Sequence, residues 1–429
     1  MNKLYLSALA LLSLASPALA QDASVSFSRV PEGSTITRRA CGSMEVLAAQ
    51  LAADPAQAQR MAAIEAHAQR FKANPAAQRT TAGTVIVPVV VHVLYNTAAQ
   101  NISDAQVQSQ IAVLNEDYRK LNADASKTPA LYAGLAADVN VQFVLAKRTA
   151  TGTATTGVIH KQTKISSWST NDAVKNSKRG GDDAWDASKY LNLWACNLGQ
   201  GLLGYAQFPG GAASTDGVVI LYSAFGSRAK YTAGTYIPSY DLGRTATHEV
   251  GHWLNLRHIW GDDSGACTGS DLVDDTPNQG AENYGCPVFP HVTCSNSGDM
   301  SMNYMDYTDD KCMYMFSTGQ SSRMNALFSI GGTRVGLLTS LGGTAPRTAA
   351  PALTSAYPNP ASDVLNLTLP AGTDATRATV HVFDLAGHEM RQVRYDGQGQ
   401  VRVSELPHGL YYLTVSTGTN VTRQRFEKE

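Results

Sequence analysis

Beyond its first twenty residues the chain has no stretch that approaches the roughly 20 consecutive apolar residues a transmembrane helix needs. It has no charge excess either. Thirty-four Lys and Arg stand against 35 Asp and Glu, for a net charge of −1, and that excludes a nucleic-acid binder working through bulk positive charge. Cysteine is scarce, six in 429 residues, too few for a disulfide-built scaffold of this length. No CxxC pair occurs, which argues against a structural zinc cluster. What is present is 43% hydrophobic residues, enough for a sizeable core, at a length that allows about two to four domains.

The first twenty residues set the compartment. Lys3 gives a positive start, Leu4 to Leu14 form an apolar run too short to span a bilayer, and Pro17 ends it. Ala18-Leu19-Ala20 then offers small residues at the two positions a signal peptidase reads. Residues 1–20 are expected to be a signal peptide, with the exported chain starting at Gln21 and free to form disulfides.

Residues 21–79 read as a separate leader. They are rich in Ala and Gln, with helix expected from Met44 to Gln69 and a break near Asp54-Pro55. From Val85 to Tyr95 (VIVPVVVHVLY) the sequence turns β-branched and nearly continuous, the pattern of a buried strand. Ser103 or Asp104 can cap a helix whose apolar positions are Val107, Ile111, Leu114 and Tyr118. Further strands are expected at 139–145, 157–162 and 217–222. Tyr190–Cys196 alternates apolar and polar, as an edge or half-buried strand does. A helix over Arg244 to Leu254 follows. The remainder to about 340 is loop-rich in Asp, Gly and Cys, so a twisted sheet packed on helices with an irregular lower half is expected. Residues 341–355 read as a Gly/Ala/Pro/Thr linker. Evenly spaced strands at 364–369, 379–383, 400–403 and 409–416 make a small all-β module of 356–429. Residues 80–345 carry 18 basic and 22 acidic side chains and the leader 7 and 5, so a mildly basic leader can dock on an acidic domain.

The strongest chemical signal is His248-Glu249-Val250-Gly251-His252. On a helix, positions i and i+4 share a face, so both imidazoles can reach one metal ion. Glu249 falls beside them, where its carboxylate can hold a water without ligating. His258, six residues beyond His252, is a third candidate ligand for Zn²⁺. A continuous helix would point it away, because six residues is not a whole number of turns. The chain must turn sharply near Asn255, and Asn is the best non-glycine residue for a left-handed turn.

HEVGHWLNLRH resembles the zinc-binding motif of the metzincins, with Asn255 in the usual glycine position. Ser301 to Tyr307 (SMNYMDY) looks like their Met-turn. HEVGHWLNLRHIWGD together with VDDTP at 273–277 and NYMDYTDDKCM at 303–313 is closer still to the pappalysin family of metzincins, over roughly residues 80–340. The resemblance implies an α+β fold: a metzincin-type zincin domain with a twisted mixed sheet plus helices and a loop-rich lower half, followed by a small all-β, sandwich-like domain. It implies a zinc endopeptidase acting on proteins or peptides. His248, His252 and His258 would bind the zinc and Glu249 would act as general base and then proton donor. Tyr307 would stand near the metal, ligating it or stabilising the intermediate, and Met305 would pack beneath it.

Four cysteines, Cys267, Cys286, Cys294 and Cys312, lie in the loop-rich half, and their spacing alone leaves three pairings open. The family resemblance implies Cys267–Cys294 and Cys286–Cys312. Cys196 is expected to be a buried free thiol. Between His258 and Asp310 there are ten acidic residues and no Lys or Arg, a composition suited to hard oxygen ligation of Ca²⁺. Asp271 and Thr276 resemble family calcium positions, with Val273 or its neighbours supplying carbonyls.

Arg39-Ala40-Cys41-Gly42 resembles the cysteine-switch segment of pro-pappalysins and matrix metalloproteinases. A Cys41 thiolate would then be the fourth zinc ligand of a latent precursor, released when the leader is removed near Arg79. The tail, from Ala356-Tyr357-Pro358-Asn359-Pro360 to LPHGLYYLTVSTG at 406–418, resembles the C-terminal sorting domain of type IX secretion. That implies export through the periplasm of a Gram-negative bacterium, to the medium or the cell surface. Asp306, Asp309 and Asp310 follow the Met-turn and could form an acidic pocket that prefers Arg, then Lys, after the scissile bond. Lys311 beside them could neutralise one. The competing reading is a zinc-bearing adhesin or binding protein that has lost catalysis, against which the intact Glu249 speaks.

Overall fold

Strand β1 (Val85–Tyr95) is the spine of the first unit. Its β-branched side chains favour extended backbone, and all but Ile86 and Tyr95 are buried. The computed structural model describes residues 36–74, 83–263, 265–346, 355–369, 374–417 and 420–429. Residues 1–20, expected as the signal peptide, and Arg79 lie outside these. The chain divides into two units, Met1–Ala345 and Pro346–Glu429.

In the first unit, β1 pairs in parallel with β4 (Leu191–Cys196) along one edge. On its other edge it pairs with β2 (Val141–Leu145) along its first half and β3 (Val158–Gln162) along its second, both parallel. β6 (Val218–Leu221) continues the sheet beside β4, and the short antiparallel β5 (Gly204–Ala206) forms the far edge. The sheet is therefore mixed, parallel except at one rim. Helices α1 (Ser43–Ala53) and α2 (Ala56–Ala73) fall within residues 21–79, expected as the leader, and break at Asp54-Pro55 as the sequence indicates. α3 (Asp104–Tyr118) starts at Ser103, whose hydroxyl accepts the Gln106 N–H at 3.2 Å. α4 (Arg244–Trp253) carries the HEVGH motif, and α5 (Thr318–Ala326) closes the unit. α3 packs on β2 and α4, and α4 packs on β5 and β6. The Tyr118 hydroxyl donates to the Thr247 carbonyl at 3.0 Å, which ties α3 to α4.

Two expectations need correction. β4 is neither an edge nor a half-buried strand: all six residues are buried between β1 and β6. The polar position that made it look amphipathic, Asn192, is fully satisfied inside. Its amide exchanges hydrogen bonds with the backbone of Trp185 and its oxygen also faces His92 Nε2 at 3.2 Å. The second concerns the linker. Residues 341–345 are part of the first unit, where the Gly342 carbonyl accepts the Lys147 N–H at 2.8 Å.

The loop-rich half, from 255 to 317, is held by two disulfides, Cys267–Cys294 and Cys286–Cys312. Cys196 is free and buried. The second unit is all β, built from β7 (Ser355–Tyr357), β8 (Val364–Thr368), β9 (Thr379–Phe383), β10 (Arg394–Tyr395), β11 (Gln400–Arg402), β12 (Gly409–Thr417) and β13 (Asn420–Lys428) in two antiparallel sheets ordered β10-β11-β8-β7 and β13-β12-β9. Leu365, Val382, Val401, Leu413 and Phe426 fill the core between them. Its last strand, β13 (Asn420–Lys428), was not expected, because Arg423 and Arg425 mask its alternation.

Candidate metal centre and cleft

Helix α4 begins at Gly243, which takes φ +86°. The Asp310 carboxylate receives the Leu242 and Arg244 N–H groups at 2.8 and 3.2 Å, an anion at the positive end of the helix. His248 and His252 lie one turn apart on the buried face. The helix ends at Trp253, and Asn255 takes φ +72°. That left-handed residue turns the chain so that His258 faces back toward the helix.

The three imidazoles meet through one nitrogen each. His252 Nε2 lies 3.1 Å from His248 Nε2 and 3.2 Å from His258 Nε2. The other nitrogens are committed. His248 Nδ1 donates to the Tyr304 carbonyl at 2.7 Å and His252 Nδ1 to the Leu256 carbonyl at 2.8 Å. His258 Nδ1 faces the Asp262 carboxylate at 2.7 Å. A carbonyl only accepts, so Nδ1 carries the proton and Nε2 presents a lone pair. Three lone pairs converging in a buried pocket repel unless a cation sits among them. A tetrahedral zinc with Zn–N bonds of about 2.05 Å separates its nitrogens by roughly 3.3 Å, so the residues present fit the ion. Burial, and then the neighbouring imidazoles, hold His248 and His252 well below the usual histidine range, which keeps them neutral.

Around these nitrogens stand four further groups. Cys41 from the leader brings its Sγ within 4.8 Å of the three histidine ligand atoms. Burial, then the Glu249 carboxyl, push its thiol well above the ordinary range; a cation at the histidines would reverse that sign. Glu249 Oε2 is 3.2 Å from Cys41 Sγ and accepts the Ser43 hydroxyl at 2.9 Å. Beneath the leader, burial raises this carboxyl to about 7, and a cation at the histidines would lower it. The Tyr307 hydroxyl lies 3.2 Å from His258 Nε2. Met305 packs under the helix, where a Cβ on Gly251 would meet its sulfur at 2.5 Å. Gly204 on β5 is similarly constrained, since a Cβ there would lie 2.7 Å from Glu249 Cγ.

The acidic residues after the Met-turn do three different things. Asp310 meets the leader, with Oδ1 2.7 Å from Arg39 Nη2. Arg39 also donates to the Thr308 carbonyl at 3.3 Å and the Thr245 hydroxyl at 3.2 Å, and lies over the Tyr240 ring at 5.2 Å. Asp306, expected in that pocket, is instead a buried loop tie. Its oxygens accept from Gln279, from the Asn283 backbone and side chain, and from the Tyr307 N–H. Asp309 precedes a short 3₁₀ turn and accepts the Cys312 N–H through its carbonyl. Lys311 is exposed, and its neighbour Asp310 is paired with Arg39 instead. Asp271 and Thr276 come together, hydroxyl to carboxylate at 2.8 Å, and the same hydroxyl reaches the Val273 carbonyl at 2.9 Å.

Sequence reasoning gave no role to Arg39, Ser43, Asp262 or Trp260, whose ring stacks on His258 at 4.4 Å. Arg39 and Ser43 flank the cysteine motif, but only the fold reveals their partners.

A helix that supplies two imidazoles and a carboxylate, a left-handed turn that returns a third imidazole, and a methionine beneath them define a metzincin-type zinc metalloendopeptidase. The family described as pregnancy-associated plasma protein-A, peptidase family M43, matches residues 174–329, and the secretion system C-terminal sorting domain matches 355–429. An extracellular metalloprotease of Pyricularia oryzae is 34% identical over 253 residues, 57% of this chain and 75% of the relative. Extracellular metalloprotease 1 of Coccidioides posadasii is 35% identical over 232 residues, 53% and 70% respectively. A promirolysin mutant of Tannerella forsythia superposes with a TM-score of 0.63 at 47% identity, covering 70% of this chain and 97% of that one. Mature mirolysin in complex with a cleaved peptide gives 0.58 at 52% identity, covering 60% and 97%. The chain belongs to the M43, or pappalysin, family of metallopeptidases, and it is a secreted or cell-surface enzyme with a type IX sorting tail. The enzymatic relatives displace the reading of a silent adhesin.

Proposed function

We propose that the protein is exported by its signal peptide as a latent zinc endopeptidase that cuts before Arg, and more slowly before Lys. The observation that carries this is the leader's seat in the cleft, with Cys41 at the three imidazoles and Arg39 on Asp310.

His248, His252 and His258 would hold the zinc, which when bound supplies Lewis acidity to the scissile carbonyl and to water. Glu249 takes the proton from the attacking water and passes it to the leaving amine. The Tyr307 hydroxyl, beside His258, donates to the oxygen that gains charge as the carbonyl becomes tetrahedral. Ser43 and Cys41 occupy Glu249 in the precursor, so the base is unavailable until the leader departs.

Arg39 indicates what the adjoining pocket accepts. Asp310, the Thr308 carbonyl and the Thr245 hydroxyl offer three acceptors to one planar fork. A lysine ammonium in the same place reaches fewer of them. Asp309 would add negative charge at the rim.

Asp271 supports a calcium site. Its carboxyl is buried and raised to about 7 by that burial, with Thr276 and the Val273 carbonyl as neighbouring oxygens. A buried carboxylate with hard oxygens around it suits Ca²⁺.

Cleaved-peptide profiling with N-terminal readout tests the proposal. Arg should dominate the position after the cut, with Lys second and Leu poor. A preference for large apolar residues there would refute the pocket assignment and leave the peptidase intact.

A further inference from the structure

Between the leader helices and the catalytic face lies a cavity of about 490 Å³, within the range of small-molecule sites. It is separate from the three imidazoles. Leu47, Leu51 and Met61 of the leader and Leu272 of the loop-rich half give it apolar walls. Leu272 is 37% exposed, a partly uncovered apolar side chain.

One end of the cavity is polar, and its charges do not balance. Arg257, Arg323, Asn255 and Glu65 meet there. Glu65 is taken by Arg323: Nη1 donates to Oε1 at 2.9 Å and Nη2 lies 2.5 Å from Oε2. Arg323 Nε donates to the Asn255 carbonyl at 2.7 Å, so this guanidinium is satisfied. Arg257 is not. Among the described residues it forms no ion pair or hydrogen bond. The two carboxylates that act on it electrostatically, Glu65 and Asp262, are committed to Arg323 and to His258 Nδ1. Asn255 is 6% exposed, and its Nδ2 has no hydrogen-bond partner. A buried amide donor and an unpaired guanidinium thus share the end of an apolar cavity. Both groups donate, and the partly exposed guanidinium carries a charge with no ion-pair partner, so an anionic acceptor is the group that would serve both.

We propose that this cavity is a binding site for an amphiphilic monocarboxylate, with its head on Arg257 and Asn255 Nδ2 and its alkyl chain along Leu47, Leu51, Met61 and Leu272. The carboxylate supplies the absent acceptor, and the chain covers apolar surface contributed by both the leader and the catalytic face. Because the ligand touches both, it favours the docked leader by linkage: whatever binds only the assembled state stabilises it. Removal of the leader takes away most of the apolar wall and with it the site. The effect on latency rests on the precursor reading above; the binding itself does not.

The test uses the full-length precursor carrying Glu249→Ala, so that it cannot process itself. Thermal stability is followed with decanoate, decanol, decylamine and acetate below their aggregation limits. Decanoate should raise the melting temperature, decanol and acetate should act at tenfold or more higher concentration, and decylamine should have no effect. In a C6 to C10 series each added methylene should tighten binding roughly fourfold. Arg257→Gln should weaken decanoate at least tenfold with metal content unchanged. Leu51→Trp, which fills the apolar end far from the metal loop, should abolish the effect. Equal action of decanol and decanoate, or a response unchanged in both variants, overturns the proposal. In the processing-competent precursor, decanoate should slow conversion. If decanoate binds the precursor and the leader nonetheless proves not to inhibit, the site stands and the latency reading falls.

Discussion

Replacing Arg39 by Ala in the precursor should undo latency while leaving the metal site intact. Both partners of the Arg39–Asp310 pair are buried, with side chains 1% and 0% exposed. Removing one member of such a pair costs about 3–5 kcal/mol, because the other charge is left without its counter-charge. Here the lower end applies, since Asp310 keeps the Leu242 and Arg244 N–H groups. About 3 kcal/mol is roughly a hundredfold in the leader's docking equilibrium. Arg39→Lys keeps the charge but loses up to two further hydrogen bonds, at about 1 kcal/mol each, so roughly five- to thirtyfold is expected. The assay is the initial rate on a fluorogenic Arg peptide with zinc-loaded precursor, with intact mass recorded to show that the chain is uncut. Leakage should rank Ala above Lys above wild type. The same order should appear in tryptic nicking of the leader in a Glu249→Ala background. If Arg39→Ala folds, stays uncut and is as silent and nick-resistant as wild type, the leader is not held through Asp310.

The centre itself is checked by metal analysis: His258→Ala should lose zinc and activity together, whereas Glu249→Ala should retain zinc and lose turnover by at least a hundredfold. Full activity without His258 would remove it from the ligand set. Cys41→Ala should give a precursor that leaks or matures sooner; unchanged latency would leave Arg39 and Ser43 as sufficient blocks. Calcium has a pH signature. Without a cation, the Asp271 carboxyl sits at about 7 against its usual 3.8 because burial disfavours its charge. The fold therefore carries its full stability below about pH 4 and loses it as pH rises through 7, by roughly 4 kcal/mol at most. A bound cation reverses that, so chelation should lower the melting temperature more at pH 8 than at pH 5. A shift independent of pH would place calcium elsewhere.

The sequence was most legible where chemistry fixes spacing. Two histidines four apart can share a ligand only on a helix. A third six beyond needs a left-handed turn, and Asn255 takes φ +72°. The run Val85–Tyr95 could hardly be anything but buried strand. Legibility failed where a side chain's partner is distant in the chain. Asn192 reads as polar and therefore exposed, but the partner that fixes it is the Trp185 backbone inside the sheet. Asp306 and Asp310 look equivalent four residues apart. One is consumed by Gln279 and Asn283, while the other meets an arginine 271 residues away. No local pattern distinguishes them. Ser43 gives no signal in the sequence, yet its hydroxyl accepts the Ala206 N–H at 2.8 Å and donates to Glu249.

If the leader inhibits and the enzyme prefers Arg, as proposed above, the direction of the leader explains how it can carry that residue and survive. On the proposed specificity, the carbonyl attacked in a substrate lies on the N-terminal side of the pocket arginine. In the leader the residue at the imidazoles is Cys41, two positions on the C-terminal side of Arg39. The chain therefore crosses the site in reverse, and it pairs in parallel with the rim strand, Cys41 against Gly204. Backbone bonds on both flanks fix that polarity, from the Gly42 N–H to the Gly204 carbonyl and from the Leu203 N–H to the Ala40 carbonyl, both 2.9 Å. Side-chain recognition and backbone orientation are thus uncoupled. The Asp310 pocket is filled by a guanidinium, while Glu249 faces a thiol and a hydroxyl instead of a water poised on a scissile carbonyl. Affinity in such an arrangement does not bring cleavage with it, because catalysis needs the reacting atoms aligned and not only the side chain bound. On the proposed reading, maturation acts on a segment other than the one from Arg39 to Gly42, and the boundary expected near Arg79 is to be read from the N-terminus of the mature enzyme.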